Sequence, residues 1–413
     1  MLVARLLDHL VSVGSLTVID ADGNTHLFRG TAGPAVTVRL HDRALHRRLF
    51  FDPSLGFGEA YMDGRVSIVD SDVYGLLELI GINLEALGRS GLHGWKKWLY
   101  RLLRRVRQFN PVGRARVNAA HHYDLTGALY ELFLDSDKQY SCAYFTEPGI
   151  SLERAQAEKK RLIAAKLLLK PGMTVLDIGC GWGGLAFYLA KEFGVDVTGL
   201  TLSAEQQKTA EERAREQGLA DCVRFHLRDY REQTGAFDRI VSVGMFEHVG
   251  IDHYNRYFSQ IHDLLKPDGV ALLHTIGRLD GPGVTDPWID RYIFPRGYIP
   301  ALSEVMPAIE KNRLWTTDVE VLRLHYAETL RHWRRRFARN RDKAKALYDE
   351  RFCRMWEYYL AVSEVSFRHL ATTVFQIQLA RRQDTVPLTR DYIFGADDAH
   401  ANKTVRRHGS RAA

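Results

Sequence analysis

The amino-acid sequence lacks the long apolar stretch that a membrane-spanning helix requires. No run approaches the roughly 20 apolar residues of such a helix, and the first ten residues carry Asp8 and His9 without a cleavage-site pattern. We therefore expect neither a transmembrane span nor a secretory signal. Only four cysteines occur in the 413 residues: Cys142, Cys180, Cys222 and Cys353. They form no CxxC pair, so they predict neither a disulfide framework nor a metal site, and they fit a reducing cytoplasm.

Two common nucleotide-binding signatures are also missing. No Walker-type Gly-Lys-Ser/Thr motif is present, and the strand-like segment 195–201 does not end in the acidic residue that dinucleotide-binding folds place on a ribose. What is present is Val-Leu-Asp-Ile-Gly-Cys-Gly-Trp-Gly-Gly at 175–184, which predicts a strand, a tight loop and the start of a helix. Glycines at this spacing let a ligand approach the backbone closely, so we predict a nucleoside-binding loop. A plain tight turn is the alternative.

The segment from 151 to 276 alternates helical and strand patterns. Strands are predicted at 174–178, 195–200, 223–227, 238–243 and 270–276, an amphipathic helix at 151–170, and further helices near 184–193, 203–217 and 254–265. This alternation predicts an α/β fold with a doubly wound parallel sheet. Ligands bind at the carboxyl ends of such strands.

Polar residues follow each predicted strand and are the candidates for this edge of the sheet. They are Thr201, Ser203 and Gln206 after the second strand, Asp229 and Tyr230 after the third, Glu247 after the fourth, and His274 in the fifth. Each one alone could be a helix cap or a structural hydrogen-bonding group. Because Glu247 and His274 both fall on ligand-facing strand ends, we favour a functional role for them.

The flanking regions predict a multi-part chain. Residues 1–94 carry short strand patterns at 15–20, 26–28 and 35–40 and a helix at 72–80, which predicts a small α+β accessory domain. The catalytic domain is predicted at 118–395, and a flexible basic tail at 396–413. Within the catalytic domain, the Pro- and Gly-broken segment 292–302 predicts a loop, and 325 to about 382 predicts aromatic-rich helices.

The linker at 95–117 is basic and amphipathic. It contains eight cations and no acidic residue: Lys96, Lys97, Arg101, Arg104, Arg105, Arg107, Arg114 and Arg116. Apolar residues near helical spacing give it one oily face, so it could lie on an anionic bilayer. It could equally be a linker helix with solvated charges. We expect no nucleic acid partner, because no recognition motif accompanies the charge.

Several motifs together resemble the cyclopropane-fatty-acyl-phospholipid synthases and the related mycolic acid cyclopropane synthases. The glycine loop alone resembles the first motif of class I S-adenosylmethionine-dependent methyltransferases. The wider set is His-His-Tyr-Asp at 121–124, Tyr-Ser-Cys-Ala-Tyr-Phe at 140–145, Leu-Asp-Ile-Gly-Cys-Gly-Trp-Gly at 176–183, Thr-Leu-Ser-Ala-Glu-Gln at 201–206, Phe-Glu-His-Val at 246–249, Phe-Pro-Arg-Gly-Tyr-Ile-Pro at 294–300 and His-Tyr-x-x-Thr-Leu at 325–330. The resemblance covers about residues 40–382 and implies a class I methyltransferase sheet with helical C-terminal additions.

The resemblance also implies two sets of site residues. S-adenosylmethionine would be held by Tyr140, Ser141, Asp177, Gly179, Gly181, Trp182, Gly183, Thr201, Leu202, Ser203, Gln206, Asp229, Tyr230 and Arg231. A bicarbonate ion would be gripped at Cys142, Glu247, His274, Ile276 and Tyr326, with backbone groups used at Cys142 and Ile276. One departure is that Ser363 stands where a family cysteine has been discussed as a nucleophile, and Cys353 does not fill that position.

The implied reaction adds a methylene from S-adenosylmethionine to a cis double bond in the acyl chains of membrane phospholipids. Attack of the alkene on the sulfonium methyl leaves a carbocation, which aromatic faces stabilise by about 0.5–2 kcal/mol each. A base, implied to be bicarbonate, must then remove a proton so that the ring closes. The alternatives are a C-methyltransferase that makes methyl- or methylene-branched chains and an inactive lipid-binding protein. We expect a cytoplasmic enzyme in peripheral contact with the bilayer, and a homodimer is a family expectation.

Overall fold

The computed structural model describes residues 7, 8, 10–88 and 127–394. The chain divides into two compact units, each made of several segments. The first contains 1–136, 276–302 and 323–373, and the second contains 137–275, 303–322 and 374–413. The predicted boundaries at 94, 117 and 395 fall outside the described residues, as do the basic linker, the motif at 121–124 and the C-terminal tail. The predicted domain division therefore stays a prediction.

The described residues form eleven strands and fourteen α-helices. The strands are β1 (Val13–Ile19), β2 (Thr25–Arg29), β3 (Thr31–Leu40), β4 (Val66–Ile68), β5 (Thr174–Ile178), β6 (Asp196–Thr201), β7 (Val223–Leu227), β8 (Phe237–Val243), β9 (Leu265–Arg278), β10 (Trp315–Val321) and β11 (Thr372–Ala380). The helices are α1 (Leu45–Phe51), α2 (Pro53–Met62), α3 (Val73–Gly88), α4 (Gly127–Glu131), α5 (Leu152–Leu167), α6 (Gly184–Phe193), α7 (Ala204–Glu216), α8 (Tyr254–Leu264), α9 (Pro287–Tyr292), α10 (Leu302–Lys311), α11 (His325–Arg339), α12 (Arg341–Leu347), α13 (Glu350–His369) and α14 (Asp391–Phe394).

The first unit contains a four-stranded sheet in the order β2-β1-β3-β4. Strand β1 pairs antiparallel with β2 and parallel with β3, and β3 pairs antiparallel with β4. Residues of β1 alternate between buried and half-buried positions, so that Leu16 and Val18 face a core to which α3 contributes Leu76 and Leu79. The buried Asn83 of α3 accepts hydrogen bonds through Oδ1 from the backbone nitrogens of Ser12 and Val13. The α+β character predicted for this region is confirmed.

The later segments of the first unit are mainly helical and rich in aromatic residues. The three largest buried side chains are Trp288, Trp333 and Trp356, each at most 1% exposed. A Cβ at Gly58 would lie 2.4 Å from the Trp288 ring, so only glycine lets α2 approach this tryptophan. Helix α11 begins at His325, where the sequence predicts a helix start. Most aromatic residues of α11 and α13 are core residues, as their spacing predicts, while Phe352 is half-buried.

The second unit contains a seven-stranded sheet in the order β10-β11-β9-β8-β5-β6-β7. Strand β5 pairs parallel with β6 and β8, β6 with β7, and β8 with β9. Strand β5 is the first of this sheet along the chain. Strands β6 and β7 extend the sheet on one side of β5, and β8 and β9 extend it on the other, so the strand order reverses beside β5. This is the predicted doubly wound α/β sheet. The core between β5, β6 and helix α6 includes Val175, Val197 and Leu189.

The prediction that residues 325 to about 382 are helical is wrong for the last part. Residues Thr372–Ala380 form strand β11, which pairs antiparallel with β10, a strand that the sequence does not predict. Both faces of β11 are buried, including the side chains of Gln376 and Gln378, which are 0% exposed. The two glutamines interrupt the apolar run, although its β-branched and aromatic content favours a strand. Among the described residues, no helix is long and apolar enough to cross a membrane.

Candidate active site

The glycine loop at the carboxyl end of β5 forms a tight turn into helix α6. Gly179, Gly181 and Gly183 have φ of 85°, 54° and 82°, in the left-handed region that glycine adopts without strain. The backbone nitrogens of Gly179 and Cys180 both donate to the carbonyl oxygen of Leu200, each at 2.9 Å. The loop is therefore fixed to the end of the neighbouring strand β6.

The three glycines differ in what a Cβ atom at each position would contact. A Cβ at Gly179 would lie 2.9 Å from the Met245 side chain, and a Cβ at Gly183 would lie 2.7 Å from the ring of Phe225. Packing alone explains these two. A Cβ at Gly181 would meet no atom within 4 Å, so this glycine borders open space. Close packing therefore does not account for Gly181, whose position beside open space suits ligand approach.

Asp177 stands one residue before the glycines and is 2% exposed. Its Oδ2 is buried and has no hydrogen-bond partner among the described residues. Burial raises the pKa of this carboxyl to about 7, while the cationic Lys159 partly opposes the shift. A buried carboxylate oxygen without a partner is costly, and a cationic ligand group would relieve that cost.

The segment from 137 to 143 is fastened to helix α5. The ammonium of Lys159, which is 1% exposed, donates to Gln139 Oε1 at 2.6 Å and to Ser141 Oγ at 2.9 Å. Gln156 donates to the carbonyl oxygen of Ser141 at 3.0 Å. These bonds hold Ser141 and the fully buried Cys142 in place. Tyr140, which lies between Gln139 and Ser141 in the chain, is half-buried.

Asp137 connects the same segment to helix α5, which precedes β5, and to helix α7, which follows β6. Its carboxylate accepts from Lys160 and from Arg213, both at 2.7 Å. Arg213 also donates to the carbonyl oxygen of Trp182 at 2.7 Å, and the ammonium of Lys138 lies 5.3 Å from the Trp182 ring centroid. Trp182 is therefore held from both sides within the glycine loop.

The residues after β6 form a helix cap. Ser203 Oγ accepts from the backbone nitrogen of Gln206 at 3.3 Å, which begins helix α7. Thr201 Oγ1 donates to Gln206 Oε1 at 2.9 Å and accepts from the backbone nitrogen of Ser203 at 3.1 Å. Leu202 between them is half-buried. Thr201, Ser203 and Gln206 therefore have the structural role of a helix cap, which the sequence leaves open as an alternative. Their contacts with a ligand stay predictions.

The residues after β7 form a buried ion pair. Arg231 donates to both carboxylate oxygens of Asp229, at 2.8 and 2.6 Å, and both side chains are at most 5% exposed. The ring of Tyr230 packs edge-on against Tyr257, with centroids 5.3 Å apart. Asp229 is therefore oriented by its neighbour before any ligand contact.

Glu247 and His274 are carried by the adjacent parallel strands β8 and β9, Glu247 just after the end of β8 and His274 four residues before the end of β9. His274 pairs in register with Val243, the last residue of β8, and Glu247 follows in a 3-10 helix at 246–248. Glu247 is 8% exposed and His274 is 2% exposed. Burial, together with the cations of Lys159 and Lys166, lowers the pKa of His274 to about 3, so its imidazole is neutral at physiological pH. Both residues thus lie near the carboxyl end of β8, and their part in a site at this edge of the sheet stays a prediction.

The five residues predicted to hold bicarbonate are divided between the two units. Cys142, Glu247 and His274 belong to the second unit, while Ile276 and Tyr326 belong to the first. Ile276 lies two residues beyond His274 in β9 and is half-buried. Tyr326 lies in the first turn of α11, 9% exposed, with its ring 4.7 Å from that of Phe367. The shared anion site stays a prediction.

Cys353 and Ser363 both lie on helix α13. Cys353 is buried, and desolvation raises the pKa of its thiol, which disfavours the thiolate that a nucleophile requires. Ser363 accepts a hydrogen bond from Ser366 through its backbone oxygen. Among the described residues, no group of three His, Cys, Asp or Glu side chains could hold a metal ion.

Sequence reasoning missed three polar residues around this site. Lys159, Lys166 and Gln376 are each at most 1% exposed. The two lysines lie in the predicted amphipathic helix, where charges are expected on the solvent face, and Gln376 lies in the strand mistaken for a helix. A signal for the lysines was available, since each falls among the apolar positions of that helix.

The comparisons with known proteins agree with one another. A family model for mycolic acid cyclopropane synthetase matches residues 112–377, well over half of the chain. The chain is 40% identical over 349 residues to cyclopropane-fatty-acyl-phospholipid synthase of Escherichia coli strain K12, covering 83% of this chain and 87% of that protein. It is 35% identical over 390 residues to tuberculostearic acid methyltransferase UfaA1 of Mycobacterium tuberculosis, covering 91% and 90%.

A solved structure supports the same assignment. Mycolic acid cyclopropane synthase CmaA1, complexed with SAH and CTAB, is 34% identical with a TM-score of 0.62, covering 66% of this chain and 99% of that chain. The likeness includes the sheet that carries the glycine loop, which is the class I methyltransferase sheet. The chain therefore belongs to the mycolic acid cyclopropane synthetase family.

Proposed function

We propose that this S-adenosylmethionine-dependent transferase forms cyclopropane rings on unsaturated acyl chains of membrane phospholipids. The observation that carries this proposal is the 40% identity to the Escherichia coli cyclopropane-fatty-acyl-phospholipid synthase across 83% of the chain. That coverage extends well beyond the 112–377 match of the family model and takes in part of the N-terminal region.

The glycine loop fits S-adenosylmethionine, which supplies an electrophilic methyl group when bound. The buried Asp177 Oδ2 suits the ammonium of the methionine portion, since a cation there would give the carboxylate a partner. Gly181 leaves open space where a Cβ would otherwise stand. Tyr140 and Ser141, the capping residues Thr201 to Gln206, and the segment Asp229 to Arg231 complete the proposed contacts. The solved structure of CmaA1 in complex with SAH supports this site.

The second part of the proposal is a bicarbonate site at Cys142, Glu247, His274, Ile276 and Tyr326. Bicarbonate would supply the base that accepts the proton lost from the transferred methyl. The geometry of Glu247 and His274 supports this, because both are buried at one edge of the sheet and His274 is neutral. A neutral imidazole donates one hydrogen bond to an anion without adding a charge. Cys353 is not needed as a nucleophile.

A second candidate is a C-methyltransferase that makes methyl- or methylene-branched acyl chains. It is favoured by the 35% identity over 390 residues to tuberculostearic acid methyltransferase UfaA1. Both reactions begin with methyl transfer to an alkene. In cyclopropanation the transferred methyl loses a proton and the electron pair of its C–H bond closes the ring at the neighbouring cation. An exocyclic methylene forms when a 1,2-hydride shift first moves the cation to the methyl-bearing carbon, and a saturated methyl branch needs a further hydride from a reductant. The product therefore distinguishes them, and the cofactor site does not.

We further propose that the enzyme is cytoplasmic and contacts the bilayer peripherally through the basic linker at 95–117 and the N-terminal region at 1–94. The linker's eight cations and apolar stripe support contact with anionic lipids. A homodimer is part of the same proposal.

Expression in a bacterium that lacks cyclopropane fatty acids tests the function. Fatty acid methyl esters should gain the mass of one CH2 group and resist mild hydrogenation, because the added carbon closes a ring. A methylene-branched product has the same mass but takes up hydrogen, and a methyl-branched product differs in mass. Unchanged fatty acids would favour the inactive lipid-binding protein.

A further inference from the structure

A chain of three buried side chains runs across the sheet to His274. Gln376 in β11 lies beside His274 in β9, with Gln376 Nε2 and His274 Nδ1 3.1 Å apart. The other end of the same amide, Gln376 Oε1, accepts a hydrogen bond of 2.8 Å from the ammonium of Lys166 in α5. Lys166 and Gln376 are 0% exposed and His274 is 2% exposed, so water does not compete for these bonds.

Lys166 fixes the orientation of the Gln376 amide. An ammonium has three donors and no acceptor, so it can face only the oxygen of the amide and never its NH2 group. The ammonium is itself held in place by the carboxylate of Glu320, with the carboxylate of Asp318 3.6 Å away. With the oxygen turned toward Lys166, the NH2 group of Gln376 faces the imidazole.

The amide orientation decides which nitrogen of His274 carries the proton. An amide NH2 group only donates, so Nδ1 of His274 must accept, and a neutral imidazole then carries its single proton on Nε2. A protonated imidazole would place an N–H against the N–H of Gln376. The network therefore disfavours the imidazolium as well as the other tautomer.

We propose that Gln376 is a positioning residue that, oriented by Lys166, holds His274 as the neutral tautomer whose Nε2–H donates to the captured anion. The proposal rests on the proposed function, since it assigns His274 to the anion site of that reaction. In the other tautomer Nε2 would present a lone pair to the anion and repel it. As an imidazolium, His274 would attract the anion strongly but weaken it as a base.

The reaction step that depends on this tautomer is the closure of the ring. The C–H bond of the transferred methyl breaks, its electron pair forms the new C–C bond at the carbocation, and the proton passes to the anion. A single donated hydrogen bond from Nε2–H keeps the anion oriented during this transfer. Enzymes whose catalytic histidine is forced into the wrong tautomer lose activity by up to about 10⁴-fold with the geometry otherwise intact.

Histidine-ring 15N NMR on the lipid-free protein tests the tautomer directly, with the His274 signals identified by their loss in His274→Ala. The wild-type ring should be neutral with its proton on Nε2 throughout about pH 6–8. In Gln376→Glu, a carboxylate acceptor replaces the donor, so the proton should move to Nδ1 or the ring should become charged. Gln376→Met removes the donor without adding charge and should give a mixture of tautomers. Gln378→Met is the matched control on the same strand and should leave His274 unchanged.

Turnover and cofactor binding complete the test. Gln376→Glu should lower kcat on the order of 100-fold, toward the loss seen for wrong-tautomer histidines, while KM for S-adenosylmethionine stays unchanged. A wild-type His274 ring protonated on Nδ1 would overturn the proposal. An unchanged His274 tautomer in Gln376→Glu and Gln376→Met would also overturn it, and if one of these variants fails to fold, the other gives the answer. If the wild-type enzyme forms no modified lipid, the proposed function is wrong, and the NMR result on the His274 tautomer is unaffected.

Discussion

The backbone nitrogen of Gly244 donates to the carbonyl oxygen of His274 at 2.9 Å, which ties the turn after β8 to strand β9. Because of this bond, the 3-10 helix that carries Glu247 begins beside the buried His274. Neither residue contributes to the glycine loop after β5. The two parts of the candidate site can therefore be altered separately.

Replacing Glu247 or His274 by alanine should abolish turnover and leave cofactor binding measurable. A positioned acid–base group contributes about 10²–10⁴-fold to a rate, and we expect a loss of that size in kcat. Isothermal titration with S-adenosylhomocysteine should give an affinity close to the wild-type value. His262→Ala on helix α8 is the matched control and should retain activity. Normal lipid conversion by His274→Ala would show that the proposed base site is wrong.

Asp177→Asn should stabilise the free protein and weaken cofactor binding. The pKa of Asp177 is about 7 in the folded chain against 3.8 as the ordinary value, so the folded state binds this proton more tightly than the unfolded state. Its stabilising contribution is present below about pH 4 and is lost as the pH rises through 7. The amide removes that loss, so the variant should melt above the wild type at pH 8 and approach it at pH 5.

The same substitution removes the carboxylate proposed to bind the cofactor's ammonium. We expect affinity for S-adenosylmethionine to fall by about 10- to 100-fold, the range for a hydrogen bond to a charged group. Asp196→Asn, at the exposed start of β6, removes one negative charge elsewhere and serves as the control. A lower melting temperature for Asp177→Asn at pH 8 would show that the carboxylate has a partner in the folded protein.

Cys353→Ala should keep its turnover, because burial raises the pKa of this thiol and the proposed base is an anion. Ser363→Cys restores the cysteine discussed in the family, and it should not increase turnover. Both variants are compared by initial rates on lipid vesicles after their melting temperatures are measured. A large loss of kcat in Cys353→Ala at an unchanged melting temperature would assign a role to a thiol in α13.

Reversing the charges of Arg104 and Arg105 should weaken binding to anionic vesicles more than to neutral ones. Each basic residue near an anionic surface contributes about 1 kcal/mol, so two reversals should be readily detected by vesicle sedimentation. The difference should shrink in high salt, because screening weakens this attraction. Equal losses on both vesicle types would assign the segment a role in folding.

The parts of the fold that could be predicted are those whose apolar pattern is uninterrupted. Strand β5, helix α6 and strand β7 begin and end at the predicted residues, 174–178, 184–193 and 223–227. Strand β11 was mistaken for a helix because Gln376 and Gln378 stand in a fully buried strand, where the pattern leads one to expect apolar residues.

The candidate site shows the same limit. Glu247 and His274 could be placed because Glu247 follows a recognisable strand and His274 lies near the carboxyl end of another. The apolar positions of helix α5 could have indicated that Lys159 and Lys166 are buried, but a lysine on an amphipathic helix is ordinarily solvated, and only the tertiary structure shows their acceptors, Gln139 and Gln376. The helix cap at Thr201 to Gln206 shows the converse, since residues chosen as ligands also have a local structural role.

The most direct measurement uses purified enzyme, S-adenosylmethionine labelled with 13C in its methyl group, and vesicles of phospholipids with cis-unsaturated chains. NMR of the extracted lipid should show the label as a ring methylene with the strongly shielded protons of a cyclopropane, and the alkene signals should fall in step. Label recovered as a methyl or exocyclic methylene branch, or no label in the lipid at all, would contradict the account.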